Sequence, residues 1–396
     1  MDRRQFLLRT ASAAAALTVS GNLYAAPPHS ARFLLVFLRG GYDCNNLLVP
    51  RTSDFYFEAR PHLAIARPDP NDPDSAIALD ADWALAPGLR DSIAPLYNSA
   101  QAAFVPFAGT QDLSRSHFET QADVESGWAV GSQHEHHSGF LARLSKELNG
   151  VAPMAFTDAL PLVFQGAGDI PNVSLKGSLR AAIDPRRARM IADLYADDPL
   201  RDAVSEGLEL REQVASEFAD EAMRASRGAV TPRNFESEAQ RIGTMMRGRY
   251  RLGFVDVGGW DTHVNQGAAT GQLANNLATL GRGLAQLATT LDDEWKNTVV
   301  VVVSEFGRTF RENGNRGTDH GHGTVYWVLG GGIQGGRILG EQVAIRRETL
   351  HEDREYPVLT DYRAFHAGLF RRIWGLSDAS LKRIFPGAVP LDLGLV

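Results

Sequence analysis

The chain has 396 residues, of which 44% are hydrophobic, 22% charged and 9% aromatic, a composition that excludes a disordered tail, a collagen-like fibre and a disulfide-stapled miniprotein. Forty basic residues against 47 acidic ones give a net charge of −7, so there is no basic excess to neutralise the phosphates of a nucleic acid. A single cysteine excludes an internal disulfide and any CxxC ribbon, which leaves metal binding to His, Asp, Glu, Asn or hydroxyl groups.

Residues 1–25 read as an address. Arg3 and Arg4 precede Gln5, Phe6 and Leu7 and an uncharged, alanine-rich run from Thr10 to Gly21, with Ala25 and Ala26 before Pro27 and Pro28. This is the twin-arginine export pattern. It implies handling by the twin-arginine machinery and a periplasmic or otherwise exported protein. The run is too short and too rich in alanine to span a bilayer. Residues 26–396 suit one large α/β domain with insertions at about 55–100 and 165–235.

Short apolar runs follow at Phe33–Leu38, Ala102–Ala108, Pro161–Phe164, Leu252–Val257, Thr298–Val303 and Val325–Leu329. Several lack polar alternation, as strands buried on both faces do. The Pro- and Asp-rich stretch 67–82 reads as a surface loop, and 167–182 as irregular chain. Helical patterns cover about 199–227, 234–247, 271–291 and 362–376; the third carries a stripe of Leu273, Leu277, Leu280, Leu284, Leu287 and Leu291. Strand 252–257, helix 271–291 and strand 298–303 make a βαβ unit and predict parallel pairing. The expected fold is α/β, a three-layer sandwich with a mostly parallel central sheet.

Asp43 follows the first strand across Arg39-Gly40-Gly41-Tyr42, Asp261 and His263 follow strand 252–257 across Gly258-Gly259-Trp260, and Glu305 follows strand 298–303. In an open parallel sheet such loops converge at the carboxyl ends of the strands. Carboxylates gathered there repel one another unless a cation joins them. A fourth loop, Gly317-Thr318-Asp319-His320-Gly321-His322-Gly323, adds two imidazoles and a carboxylate that could fix a ring tautomer. Asp43, Asp261, His263, Glu305 and His320 or His322 are the expected ligands of one or two divalent ions. Zinc or manganese is favoured over calcium because imidazoles take part.

Ser116, in Ser114-Arg115-Ser116-His117 at the expected start of a helix, is either a nucleophile or an N-cap. Arg308 either holds an oxyanion or pairs with Glu305. His134, His136 and His137 read as a solvated loop, Gly330-Gly331-Gly332 lacks nucleotide-binding spacing, and Cys44 reads as a packed small residue.

FLRGGYDCNNLLVP, SRSHFETQ, GGWDTHVNQ, VVVVSEFGRTFRENGNRGTDHGHG and the leading RRQFL together closely resemble the exported bacterial family called domain of unknown function 1501. That resemblance implies an alkaline-phosphatase-like (sulfatase-like) fold, with Asp43 at the aspartate after the first strand and Asp261 and His263 as an aspartate–histidine pair of one metal. It also places Asp256 at an additional acidic position, His320 or His322 at the late histidine, and Ser116 at the nucleophile. Phe306 stands where the superfamily commonly has a histidine, so a second metal loses a ligand unless His117 or another group replaces it.

The expected function is metal-dependent hydrolysis of phosphate or sulfate esters, acting on a small ester or anionic substrate through Ser116 or an activated water, with Arg308 offsetting transition-state charge. The competing expectation is a non-catalytic metal- or ligand-binding protein of the cell envelope, its site degenerate at Phe306.

Overall fold

The computed structural model describes residues 30–132, 138–175 and 235–396. The leader expected over 1–25, the helix expected over 199–227, most of the insertion expected over 165–235 and His134, His136 and His137 lie outside the described residues.

In chain order the described strands are β1 (Arg32–Leu38), β2 (Leu48–Pro50), β3 (Ile77–Ala78), β4 (Trp83–Leu85), β5 (Ala102–Gly109), β6 (Pro153–Ala155), β7 (Leu252–Val257), β8 (Thr298–Ser304), β9 (Thr324–Leu329), β10 (Arg337–Ile338) and β11 (Thr360–Asp361). The helices that frame the site and its sheet are α1 (His117–Ser126), α2 (Phe140–Glu147), α3 (Phe235–Arg247), α4 (Gln272–Leu291), α5 (Tyr362–Trp374) and α6 (Asp378–Ile384).

The central sheet runs β10-β5-β9-β8-β1-β7-β6, with β11 also paired to β5. Neighbours are parallel except at β9, which is antiparallel to both β5 and β8. The βαβ unit β7–α4–β8 is parallel as its pattern predicts, with β1 inserted between its two strands.

β1 shows why the sheet needs cover on both sides. Its residues alternate between faces: Leu34, Val36 and Leu38 join a core with α3 and the α4 leucines, while Phe33, Leu35 and Phe37 join a second core with α2, α5 and α6. All six stripe leucines of α4 are buried, each stabilising the fold by about 1.5–3 kcal/mol relative to exposure. The result is the expected three-layer α/β sandwich. No described helix is long and apolar enough to cross a membrane.

Two local expectations fail. Pro161–Phe164 is not a strand; Leu162–Phe164 forms a 3-10 turn whose Val163 N–H donates to Glu125 Oε2 at 3.0 Å instead of entering a ladder. The stretch 67–82, read as a surface loop, contains β3, which pairs with β4 and through it joins β2 in a small antiparallel sheet. Strands of two or three residues carry too little pattern to be read in advance.

The direction of β9 positions the site. Loops after β1, β5, β7 and β8 leave at the carboxyl edge of the sheet. Because β9 runs the other way, the loop that precedes it, 317–323, arrives at that same edge.

Candidate metal centre

After β1 the chain turns through Gly40 at φ +122° and Gly41 at φ +59°, conformations glycine adopts without steric cost. A Cβ on Gly40 would stand 2.8 Å from Asp261 N, and one on Gly41 would run into the Phe306 ring. This close approach puts the Gly40 N–H 2.8 Å from Glu305 Oε1 and turns the Gly40 and Gly41 carbonyls toward Arg308.

Arg308 is 1% exposed. Its guanidinium donates to the carbonyls of Gly41, Gly40 (2.6 Å), Trp260 (3.3 Å) and Thr318 (3.0 Å), and to Asp261 Oδ1. The expected oxyanion-holding role of Arg308 is therefore corrected. Its donors are spent joining the loops after β1, β7 and β8 to the loop before β9, and its carboxylate partner is Asp261 rather than Glu305.

Around Asp261 three imidazoles converge. His263 Nε2 lies 2.9 Å from Asp261 Oδ1 and 3.1 Å from His320 Nε2. His320 Nε2 is 3.4 Å from Asp261 Oδ1, and His117 Nε2 is 3.7 Å from Asp261 Oδ2. The far nitrogen of each ring is backed by an acceptor. His117 Nδ1 is 2.8 Å from Glu305 Oε1, His320 Nδ1 is 3.0 Å from the Arg115 carbonyl, and His263 Nδ1 is 3.4 Å from Asp319 Oδ1. Oxygens that only accept fix the ring proton on Nδ1 and leave Nε2 as a lone pair.

These nitrogens fit a divalent ion. His117 Nε2 is buried without a hydrogen-bond partner. With the ring protons on Nδ1, the 3.1 Å approach of His263 Nε2 to His320 Nε2 sets two lone pairs against each other, which a cation bound beside them would relieve. His117, Asp261 and His320 each offer one ligand atom within 4.8 Å of the others, and His263 Nε2 stands beside that group, next to Asp261 Oδ1 and His320 Nε2. Carboxylate or carbonyl backing of each ring is the arrangement that orients metal-binding histidines elsewhere. The group is reachable, with side-chain exposures of 46% for Asp261, 39% for His263 and 23% for His117.

Electrostatics follow the geometry. At Asp261 burial works against the charge, but the hydrogen bond and charge of Arg308, with His263 and His117, hold the carboxyl below its usual range. At Glu305 burial is likewise outweighed, here by hydrogen bonds from His117, Gln121 and the Gly40 N–H. Burial pushes the His320 imidazole down, which favours the neutral ring a metal requires.

Five further expected residues are placed elsewhere. Asp43 is not at this cluster; both its oxygens are engaged, with Arg60 at 2.6 and 3.0 Å and Gln266 Nε2 at 2.6 Å, and neither Asp43 nor Arg60 is exposed. Glu305 stands behind His117 as its hydrogen-bond acceptor and is not itself among the converging groups. His322 faces away, its ring centroid 5.4 Å from that of His351; burial and then His351 push its pKa down to about 4. Ser116 is the N-cap of α1, its Oγ accepting from Glu119 N–H, and among the described residues no hydrogen bond ties it to the cluster. Asp256 pairs with Arg39 at 2.7 Å. Cys44 is packed as expected, and burial pushes its thiol up to about 12.

Two contributors carried a weak signal. His117 is the first residue of α1, following β5 at the edge where the other loops meet, a position the sequence placed without giving it a main role. Phe306 packs its ring 4.9 Å from His117 and 5.0 Å from His320, an apolar wall behind both.

Solved structures with a similar course of chain include Ps i-CgsB in complex with k-i-k-neocarrahexaose, at 10% identity and a TM-score of 0.37 over 88% of this chain and 73% of that one. Another is the lipoteichoic acid synthase LtaP from Listeria monocytogenes, at 9% identity and 0.37 over 89% and 74%. No curated protein matches the chain. Residues 30–385 match the family model described as "Protein of unknown function (DUF1501)", and the chain belongs to that family.

Proposed function

We propose that this protein is an exported, metal-dependent hydrolase of phosphate or sulfate esters. The observation that carries the metal half is the convergence of His117, His263 and His320 Nε2 on Asp261, with His117 Nε2 buried and unpartnered. The ester half draws on the resemblance of the GGWDTH and SEFGRT motifs, and the export half on Arg3 and Arg4. His117, Asp261, His263 and His320 would hold the ion. When bound, a zinc or manganese ion supplies Lewis acidity toward an ester oxygen and acidifies water in the site. Glu305 keeps a proton on His117 Nδ1, the Arg115 carbonyl does the same for His320, and Arg308 offsets the Asp261 charge. With the Ser116 hydroxyl capping α1, water is the nucleophile this arrangement leaves.

A second reading, a non-catalytic metal-binding envelope protein, is favoured by Phe306 and by the full engagement of Arg308. The same preparation separates the two. Metal content of purified, undialysed protein is measured by mass spectrometry beside an Asp261→Ala variant, and the metal-loaded protein is assayed on aryl phosphates, phosphodiesters and sulfate esters. Bound metal with turnover supports the hydrolase; bound metal without turnover supports the binding protein. Equal metal in wild type and variant sinks both.

A further inference from the structure

We propose that Glu355 is a positioning residue for this metal centre, acting through Arg115 on two ligands at once; the inference rests on reading the His117–Asp261–His263–His320 group as the ion site. Arg115 is a non-glycine residue at φ +54°, a left-handed conformation that persists only where surrounding structure enforces it. The enforcement is visible. Arg115 Nε donates to Glu355 Oε1 at 2.9 Å, and Nη2 donates to that oxygen and to Glu352 Oε2 at 2.6 Å.

Glu355 has no exposure, and its other oxygen accepts from Arg354 Nη1 at 2.6 Å. Its backbone bridges to Thr309, in the segment that follows β8, and to His351. The anchor is thus built into the frame of the site. At the other end, the Arg115 carbonyl accepts the His320 Nδ1–H, and His117 lies two residues along the chain. Rotation of the Arg115 peptide therefore displaces the acceptor that orients one imidazole and the backbone that carries another.

His351, Glu352 and Glu355 are themselves close enough to suggest a second ion site. Arg115 and Arg354 already bring two positive charges to the two carboxylates, so the group works as a clamp on Arg115.

The test uses the full chain, stripped of metal and titrated calorimetrically with Zn²⁺, with Co²⁺ absorption as a report on ligand geometry. Glu355→Ala and Arg115→Ala are expected to weaken Zn²⁺ binding about 10-fold or more and to shift the Co²⁺ bands. Glu352→Gln, which removes only the exposed partner, is expected to stay within about twofold. Arg115→Gly separates anchor from backbone, because glycine adopts this φ freely. Weakened Zn²⁺ binding in that variant supports the anchor. Wild-type affinity and Co²⁺ spectrum in Arg115→Gly or in Glu355→Ala overturn it. If Glu355→Ala does not fold, the two Arg115 variants decide, since Arg115 is 28% exposed. A wild-type chain that binds neither ion removes the metal reading and this inference together, an outcome distinct from unchanged variants of a chain that binds.

Discussion

Asp43 and Arg60 form a bidentate pair with no solvent exposure on either side chain. Arg60 also donates to Asn46 Oδ1 and to the Phe310 and Thr309 carbonyls, so the guanidinium supplies the positive charge that a metal was expected to bring to Asp43. Asp43→Asn leaves that guanidinium buried and uncompensated, which costs about 3–5 kcal/mol. The chain should lose that much in urea unfolding while keeping its Zn²⁺ affinity within about twofold. A matching loss of Zn²⁺ binding in folded Asp43→Asn protein would return Asp43 to the ligand set.

Glu305 serves the ion from one step back. Its Oε1 accepts from His117 Nδ1, Gln121 Nε2 and Gly40 N, all at 2.8 Å. Alanine at this position frees the imidazole to turn and to exchange tautomers. Glu305→Ala should weaken Zn²⁺ binding about 10–100-fold, whereas Glu305→Gln, whose amide oxygen can still accept from His117, should fall at or below the low end of that range. Calorimetric titration of both variants checks the order; an unchanged affinity in the alanine variant refutes it.

The layers and most long strands were legible because an unbroken apolar run of Val, Phe and Leu has few other places to go than a sheet buried on both faces. The edge where the site lies was legible too, since Gly-rich turns follow β1 and β7. Direction was not. Nothing in Val325–Leu329 marks β9 as the reversed strand, although that reversal brings His320 to the cluster. The choice between His320 and His322 was closed to sequence for a related reason. In an extended segment residues two apart share a face, but the chain turns at Gly321, whose N–H donates to Gly307 O while His320 bridges to Arg308, and the two rings part. Asp43 was read correctly as a strand-end carboxylate. Its partner Arg60 lies 17 residues further along the chain, where no local pattern announced it.

His322 and His366 give the fold an acid sensitivity with a defined window. Burial comes first in pushing each imidazole from 6.5 down to about 4; His366 sits among Phe33, Phe140, Phe370 and Phe385, with Nδ1 2.8 Å from the Tyr362 carbonyl. Between pH 6.5 and 4 the unfolded chain binds the protons the folded chain refuses. The stabilisation is present above 6.5 and is lost as pH falls through the window, by as much as about 3 kcal/mol for each group. His366→Phe should flatten the fall in unfolding free energy between pH 6.5 and 4.5. A slope identical to wild type in a stably folded variant would exclude the assignment for His366.

Ser116 offers the sharpest test of what kind of site this is. Its hydroxyl caps α1 at Glu119 N–H, and its backbone N–H is taken by Ser114 Oγ at 3.2 Å. Loss of such a cap costs about 1 kcal/mol. Because His117 is the next residue, a frayed first turn can loosen one ligand without touching the chemistry. Ser116→Ala should therefore melt slightly lower and retain turnover within about 10-fold, with Ser116→Asp, which caps as well as serine does, returning the lost stability. Loss of activity by a factor of about 10³ or more in both variants, with Zn²⁺ binding intact, is the signature of a missing nucleophile. That result would move the attack from water to the serine and require the Ser116 side chain to leave its cap during turnover.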